Sequence, residues 1–371
     1  MPTPKITLIT IDYPPKRGGV ARYLSELVKA SEGEMEVIFI NAPSPLFVRG
    51  GFSDKANINR SPSSEEGAGG VSPRWWQLVP LCLHQKGKII LVSHVFPVGT
   101  AAWVSKMLGG PEYAVLFHGL DLRMVRGRFK TWLLRQICNN AKAIFMNSHS
   151  TRKDALKRIP QFRTMPKVIT PGAGSIEFFS RQDARRKLAV DQDIPIVISI
   201  ARLVPRKGID IALRAMARMQ KGKDISYVVI GDGPDRDRLL SIAEESHAHV
   251  TWIRDIEDAD KWVWLAAADV FLLPVRDEGD DVEGFGIVFL EAALASIPSI
   301  AGNSGGAAEA VLDGETGYLV DPNSVEEIVE KVEKVIWHEE LRDQLGKRGR
   351  LRALNEFDWK DRWDKVKNEL T

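Results

Sequence analysis

The 371-residue sequence holds only two cysteines, Cys82 and Cys138. They form no metal-ligand spacing and are too few for a disulfide framework. No run of eighteen uncharged apolar residues occurs, which excludes a membrane-spanning helix on the pattern of the chain. A secretory signal is missing as well. The apolar run in "MPTPKITLITIDYPP" is short, broken by Asp12 and followed by Pro14 and Pro15 instead of a small-residue cleavage site. It reads as the first core strand of a cytoplasmic protein. The dinucleotide fingerprint is incomplete: "GDGPD" (231–235) is followed by Arg236 where GxGxxG needs glycine, which disfavours a dinucleotide-dependent oxidoreductase.

What is present describes a soluble globular chain, 44% apolar and 27% charged, long enough for two domains. The net charge of +2 hides an asymmetry. Residues 1–190 carry 28 Lys and Arg against 13 Asp and Glu, or +15, and residues 191–371 carry 23 against 36, or −13. Either the N-terminal half meets an anionic partner, or opposite charges help two domains face one another.

Buried-strand patterns alternate with helical ones throughout. "KITLITI", "EVIFINA", "KIILVSH", "YAVLFHG" and "KAIFMNS" read as strands in the first half, and "IPIVISIA", "ISYVVIG", "HVTWI", "DVFLLPV" and "IPSIAG" in the second. Helices are expected between them, for instance at 20–30, 128–140 and 208–219. Continuous apolar strands separated by helices mean parallel sheets covered on both faces. The fold class is therefore α/β, with two doubly wound Rossmann-like domains and a join near 175–192. Residues 41–74, with "NRSPSSEEGAGGVSP", read as a loop ending at Trp75 and Trp76. "FDWKDRWDKVKNEL" reads as an amphipathic helix with Phe357, Trp359 and Trp363 on its apolar side.

Ligands of doubly wound sheets collect where strands hand over to loops at their carboxyl ends. "RLVPRKGID" follows one such strand and delivers Arg202 and Lys207, cations suited to phosphate oxygens. Gly231 of "GDGPD" lets backbone approach whatever sits at the same edge. In "VEGFGIVFLEAALA" (282–295), Gly284 and Gly286 allow a sharp turn and a helix begins near Ile287. Its first N–H groups form an anion site. Glu291 lies roughly 6–8 Å further along the axis, at ~1.5 Å per residue, within reach of a ribose diol attached to that anion. Glu283 lies on the other side of the anion, where sugar hydroxyls fit. The acidic run "DEGDDVEG" (277–284) invites a metal, but the positive charge already present at this edge favours a plain loop and no metal.

These residues resemble the retaining nucleotide-sugar glycosyltransferases of family four, which have the GT-B fold. Glu283 and Glu291 match the E-x7-E motif, and "GGVARYLSEL", "FHGLDL", "ARLVPRKGID", "GDGP", "EGFGIVFLEA", "NSGGAAEAV" and "DGETGYLVDP" follow in the family's order. The resemblance implies an acceptor domain over 1–180 and a donor domain over 191–356 facing it across a cleft, with the helix at 357–371 packing back on the first. It implies that Arg202 and Lys207 hold the donor pyrophosphate, assisted by the N–H groups of Ile287 and Val288. Glu291 is then the ribose ligand, and Glu283 with Phe285 and Gly286 holds the donor sugar. His118 stands beside that sugar, Gly18 and Gly19 close over the phosphates and the acceptor, Asp121 serves the acceptor side, and Ile253 to Asp255 border the base. Departures from the pattern are Ala201 for glycine, Gly174 for the usual Asp, and Arg254 for the glycine of the base loop.

The implied enzyme moves a sugar from a GDP- or UDP-sugar to an acceptor hydroxyl, without cofactor or metal, keeping the α configuration. Its partners are the nucleotide-sugar donor and a sugar, lipid or lipid-linked acceptor, as in phosphatidylinositol mannosyltransferase-like members, and not nucleic acid. The basic helix in "RMVRGRFKTWLLRQ" (123–136) either lies on the inner face of an anionic membrane or packs Trp132, Leu133 and Ile137 into the core. A sugar-nucleotide 2-epimerase of the same fold and a non-catalytic nucleotide-sugar binding protein are the alternative functions.

Overall fold

The computed structural model describes residues 5–14, 16, 18–41, 44–48, 74–119, 122, 125–174, 179–279 and 281–371. Asp121 and most of the loop read at 41–74 lie outside the described residues. The chain divides into two compact units. One comprises residues 1–147, 152–169 and 360–371, and the other 148–151 and 170–359.

The first unit is built on a seven-stranded sheet: β1 (Lys5–Thr10), β2 (Met35–Asn41), β3 (Ser44–Val48), β4 (Lys88–Val92), β5 (Tyr113–Phe117), β6 (Ala143–Met146) and β7 (Lys167–Val168). The order is β3-β2-β1-β4-β5-β6-β7, parallel except for the β2–β3 pair. The β3 strand corrects the loop reading of 41–74. It is a short edge strand containing Pro45, a composition that gives no alternating apolar signal. Ile9, Ile38, Ile90, Val92, Val115 and Ile144 form the apolar core, continuous because helices cover both faces. The helix Gly19–Ala30 contributes Ala21, Leu24 and Leu27 at three-residue spacing, one face of a helix. In the last helix, Trp359–Leu370, Trp363 is wholly buried and its indole N–H donates to Glu34. Lys367 also reaches Glu34, at 2.7 Å, and Lys142 donates to the carbonyl of Leu370.

The second unit has six parallel strands: β8 (Ile196–Ile200), β9 (Ser226–Ile230), β10 (Val250–Ile253), β11 (Val270–Leu273), β12 (Ser299–Gly302) and β13 (Gly317–Val320). Their order is β10-β9-β8-β11-β12-β13. Two of its helices start on side-chain caps. Ser180 accepts from the N–H of Asp183, and Ser324 from that of Glu327. Asp269, wholly buried just before β11, is held by Arg181 at 2.6 Å, Arg185 at 2.7 Å and Arg342 at 3.3 Å. It also accepts the N–H of Ile196 at 2.7 Å, which ties the start of β8 to this buried charge cluster.

Both sheets reverse their strand order once, between β1 and β4 in the first and between β8 and β11 in the second. The chains leaving the two central strands diverge there, and ligand crevices form at such points.

Candidate functional site

In the second unit the reversal between β8 and β11 places the loop after β8 beside the segment after β11. After β8 the chain makes a 3-10 turn, Pro205–Lys207, and enters the helix Ile209–Met219 through Gly208. That turn buries Lys207 to 7% exposure, and its Nζ lies 2.5 Å from Glu283 Oε2. Arg206 bonds the same carboxylate oxygen and pairs with Asp281 at 2.8 Å. Burial pushes the Glu283 carboxyl up, but Lys207 and Arg206 outweigh it and hold it down to about 2. Burial likewise lowers the Lys207 ammonium against the pull of Glu283. With a strongly acidic carboxyl at this distance, the pair is ionic.

Arg206 escaped the sequence reading, which took Arg202 and Lys207 as the two cations. Arg202 stands exposed at this edge. Behind the turn, Arg276 donates its backbone N–H to the carbonyl of Arg206 and grips Asp210 with both guanidinium nitrogens, at 2.8 and 3.1 Å. Arg238 reaches Asp210 from the other side. The turn carrying the cations is thus anchored by a second ionic cluster whose spacing in sequence gave no signal.

The helix expected near Ile287 runs Ile287–Leu294. Gly286, with φ 88°, stands at its start, and a side chain there would meet the Phe289 ring at 2.6 Å. The amides of Ile287 and Val288 have no carbonyl partner within the helix. Phe285 is buried, while Ile287 and Val288 are half-buried. One turn on, Glu291 is 6% exposed and accepts from Lys261 Nζ at 3.1 Å. Lys261, on the helix Asp258–Ala267, is itself buried and also pairs with Asp258. The lone carboxylate of an apolar helix therefore has a cation that the sequence reading missed. The "DADKWVW" pattern, with one lysine on the buried face of its helix, was the available signal.

Gly231 makes a close approach of a different kind from the one expected. A side chain there would lie 1.9 Å from the carbonyl of Ala201, so the glycine lets "GDGPD" zip against the loop after β8. The N–H of Leu203 donates to Asp232 and that of Asp235 to Leu203. The N–H of Gly231 donates to Ile253. Arg254, where the family has glycine, pairs with Asp232 at 2.6 Å beside the exposed Asp255.

The acidic run at 277–284 is divided among neighbours: Asp277 bonds Ser304, Glu278 pairs with Arg276, Asp281 with Arg206 and Glu283 with Lys207. Among the described residues, no three His, Cys, Asp or Glu side chains assemble as a metal site.

The structure thus brings Arg202, Lys207, Glu283, Phe285, Gly286, Ile287, Val288 and Glu291 to one edge of the second sheet, with Gly231, Ile253 and Asp255 alongside. His118, Gly18 and Gly19 belong to the first unit. His118 follows β5, half-buried, edge-on to Tyr23 at 5.3 Å. Burial, with His94 nearby, pushes its imidazole down to about 3, so the ring is neutral at physiological pH. Gly18 (φ 150°) and Gly19 open the helix Gly19–Ala30, and, chain neighbours and the helix's own backbone aside, no atom of the described residues lies within 4 Å of where their side chains would begin.

Comparison with known proteins follows the same division. Residues 17–172 match the Glycosyltransferase Family 4 model and residues 180–352 the Glycosyl transferases group 1 model. The chain is 29% identical, over 96% of its length and 95% of the relative's, to the GDP-mannose-dependent alpha-(1-6)-phosphatidylinositol monomannoside mannosyltransferase of Mycolicibacterium smegmatis. It is 30% identical to an uncharacterized glycosyltransferase of Methanocaldococcus jannaschii, over 76% of this chain and 74% of the other. Among solved structures, sucrose-phosphate synthase from Thermosynechococcus elongatus shares the fold. The TM-score is 0.78 at 21% identity, covering 98% of this chain and 97% of that one. With two doubly wound sheets, both family models matched in order and full-length relatives, the chain belongs to the nucleotide-sugar glycosyltransferases of the GT-B fold.

Proposed function

We propose that this glycosyltransferase is a retaining, metal-independent hexosyltransferase. In this reading it moves a sugar from a nucleoside diphosphate donor to a polyol hydroxyl of a lipid acceptor and forms an α-glycosidic bond. The observation that carries the reading is the convergence at the β8–β11 switch point. Lys207 and Arg206 meet Glu283 beside the open amides of Ile287 and Val288, with Glu291 one turn behind.

The chemistry follows from charge. As the bond between the sugar C1 and the phosphate oxygen breaks, negative charge grows on the β-phosphate while the sugar becomes oxocarbenium-like. Lys207, Arg206, Arg202 and the two amides are donors aimed at that charge, the arrangement that supplies the largest catalytic contribution in such reactions. Glu283 then holds sugar hydroxyls while keeping Lys207 and Arg206 in place. Glu291, oriented by Lys261, takes the ribose diol. The acceptor oxygen forms its bond to C1 on the face the phosphate leaves, and its proton passes to the departing phosphate oxygen. His118, its ring neutral, offers one hydrogen-bond donor or acceptor at the end of β5 in the first unit.

GDP-mannose is the first donor for this reading, and a phosphatidylinositol-type lipid the first acceptor, because the mycobacterial relative's name carries both. The surface of the first unit supports a lipid acceptor. In the helix Arg128–Asn140, Leu134, Ile137 and Cys138 enter the core, whereas Phe129 is 70% and Trp132 49% exposed. Their rings stack at 6.0 Å beside Arg128 and Lys130. The packing alternative thus accounts for Ile137, for Leu133 and for the edge of Trp132 against Trp103, and leaves half of Trp132 and most of Phe129 exposed. Localisation in this reading is cytoplasmic, peripheral on the inner face of the membrane. The test is thermal-shift screening with GDP-, UDP- and ADP-sugars, followed by nucleotide release and NMR of the product anomer. An α product from an α-linked donor is expected; a β product or a donor-only epimer overturns the proposal.

A further inference from the structure

Arg254 is the one residue of this edge that departs from the family pattern by gaining a long charged side chain where glycine is usual. It stands just past β10, the edge strand of the second sheet. The N–H of Gly231 donates to the carbonyl of Ile253 at 2.8 Å, which sets the ends of β9 and β10 level. From there the Arg254 side chain crosses to the end of β9, with Nε at 3.2 Å and Nη2 at 2.6 Å from Asp232 Oδ2. Asp232 is itself fixed. Its Oδ1 accepts the N–H of Gly233 at 2.9 Å, and its backbone carbonyl accepts that of Leu203.

This pair lies in water, with Arg254 57% and Asp232 43% exposed. An ion pair so exposed adds little to the stability of the fold, so folding does not account for the arginine. Its place in the donor site does. A ribose on Glu291 lies against Lys261, in the first turn of the helix that follows β10. The base leaves the ribose on the side away from the phosphates, and so extends over the ends of β10 and β9. Both hydrogen bonds to Asp232 use the Nε–Nη2 edge of the guanidinium. The outer edge, made of Nη1 and the second N–H of Nη2, then presents two parallel donors in one plane. Guanine offers two adjacent acceptors to such a fork, O6 and N7, whereas adenine pairs N7 with an amino donor and uracil has O4 alone.

We propose that Arg254 is the residue that makes this chain select a guanine nucleotide, donating from its outer edge to O6 and N7, and that Asp232 is the positioning residue that fixes the guanidinium plane. The assignment rests on the reading of Glu291 as the ribose ligand. It is tested on the full chain by calorimetric titration with GDP, 7-deaza-GDP, ADP and UDP.

The wild type is expected to bind GDP about fivefold to a hundredfold more tightly than ADP, the discrimination of one bidentate pair. It should prefer GDP to 7-deaza-GDP, which lacks the N7 acceptor, by about tenfold. In Arg254→Met both preferences collapse while the Kd for UDP stays in place. Arg254→Lys, a single point donor, falls between the two. Asp232→Asn raises the KM for GDP-mannose without changing kcat and leaves UDP binding as it was; a purely structural Asp232 would weaken GDP and UDP alike, and that result rejects its positioning role. Preferences in Arg254→Met equal to those of the wild type overturn the proposal. So does a wild type that binds ADP or UDP as tightly as GDP, and that outcome leaves the glycosyltransferase reading intact. A wild type that neither binds nor cleaves any GDP-, UDP- or ADP-sugar overturns both.

Discussion

Replacing Glu283 by Gln separates two roles of the same carboxylate, counter-ion and sugar ligand. The side chain keeps its size but no longer neutralises Lys207 and Arg206. A carboxyl held at about 2 against an ordinary 4.5 stabilises the fold by about 3 kcal/mol at neutral pH, at about 1.4 kcal/mol for each tenfold. Breaking a buried ion pair from one side costs about 3–5 kcal/mol on independent grounds, because the remaining charge stays buried. The two agree. For a unit of this size a loss of about 3–5 kcal/mol lowers Tm by about 6–20 °C.

The stabilisation also has a defined pH window. It is fully present above about 4.5 and is lost as pH falls towards about 2, where Glu283 takes up its proton. The Gln variant lacks it at every pH, so the two stability curves converge in acid. A donor pyrophosphate supplies the missing anion, and GDP or UDP should raise the Tm of the variant more than that of the wild type. Thermal unfolding from pH 2 to 8, with and without nucleotide, measures all three effects. A variant with the wild-type Tm at neutral pH and the same nucleotide response would refute the counter-ion role.

Other outcomes follow from the same geometry. Lys207→Ala should lower kcat about a hundred- to a thousandfold, read as nucleotide release at saturating donor; unchanged turnover rejects its phosphate role. Lys261→Met should weaken nucleotide affinity, since Glu291 loses the cation that orients it, and calorimetric titration with GDP checks this. Asp269→Ala leaves Arg181, Arg185 and Arg342 around an empty buried centre and should cost about 3–5 kcal/mol, measured by denaturant unfolding, without changing donor KM. Phe129→Ser with Trp132→Ser should reduce flotation with liposomes containing phosphatidylinositol while leaving neutral-lipid controls unchanged. Equal flotation of both proteins removes that surface from the acceptor reading.

Ten of the thirteen described strands were legible as continuous apolar runs, because strands covered on both faces need apolar residues at every position. The three that were not, β3, β7 and β13, are all edge strands of two to five residues, and β3 and β13 carry Pro45 or Gly317 in place of a continuous apolar run. The turn at Gly286 and the helix start at Ile287 were legible too, since glycine spacing and a helix terminus are local properties.

Partner choice was not local. That Glu283 meets Lys207 and Arg206, across more than seventy residues of chain, follows from β8 and β11 lying side by side in a sheet whose order is not the sequence order. His94 reaching Asp12, after the adjacent β4 and β1, has the same origin, whereas Lys261 reaches Glu291 by the packing of the helices on either side of β11. The sequence by itself determined the strand–helix alternation and the residue types offered at each strand end, because these depend on neighbours within a few positions. Only the tertiary structure decided which of those ends share a crevice and which charges neutralise one another, because ionic contacts depend on distance in space and the parallel sheet sets that distance.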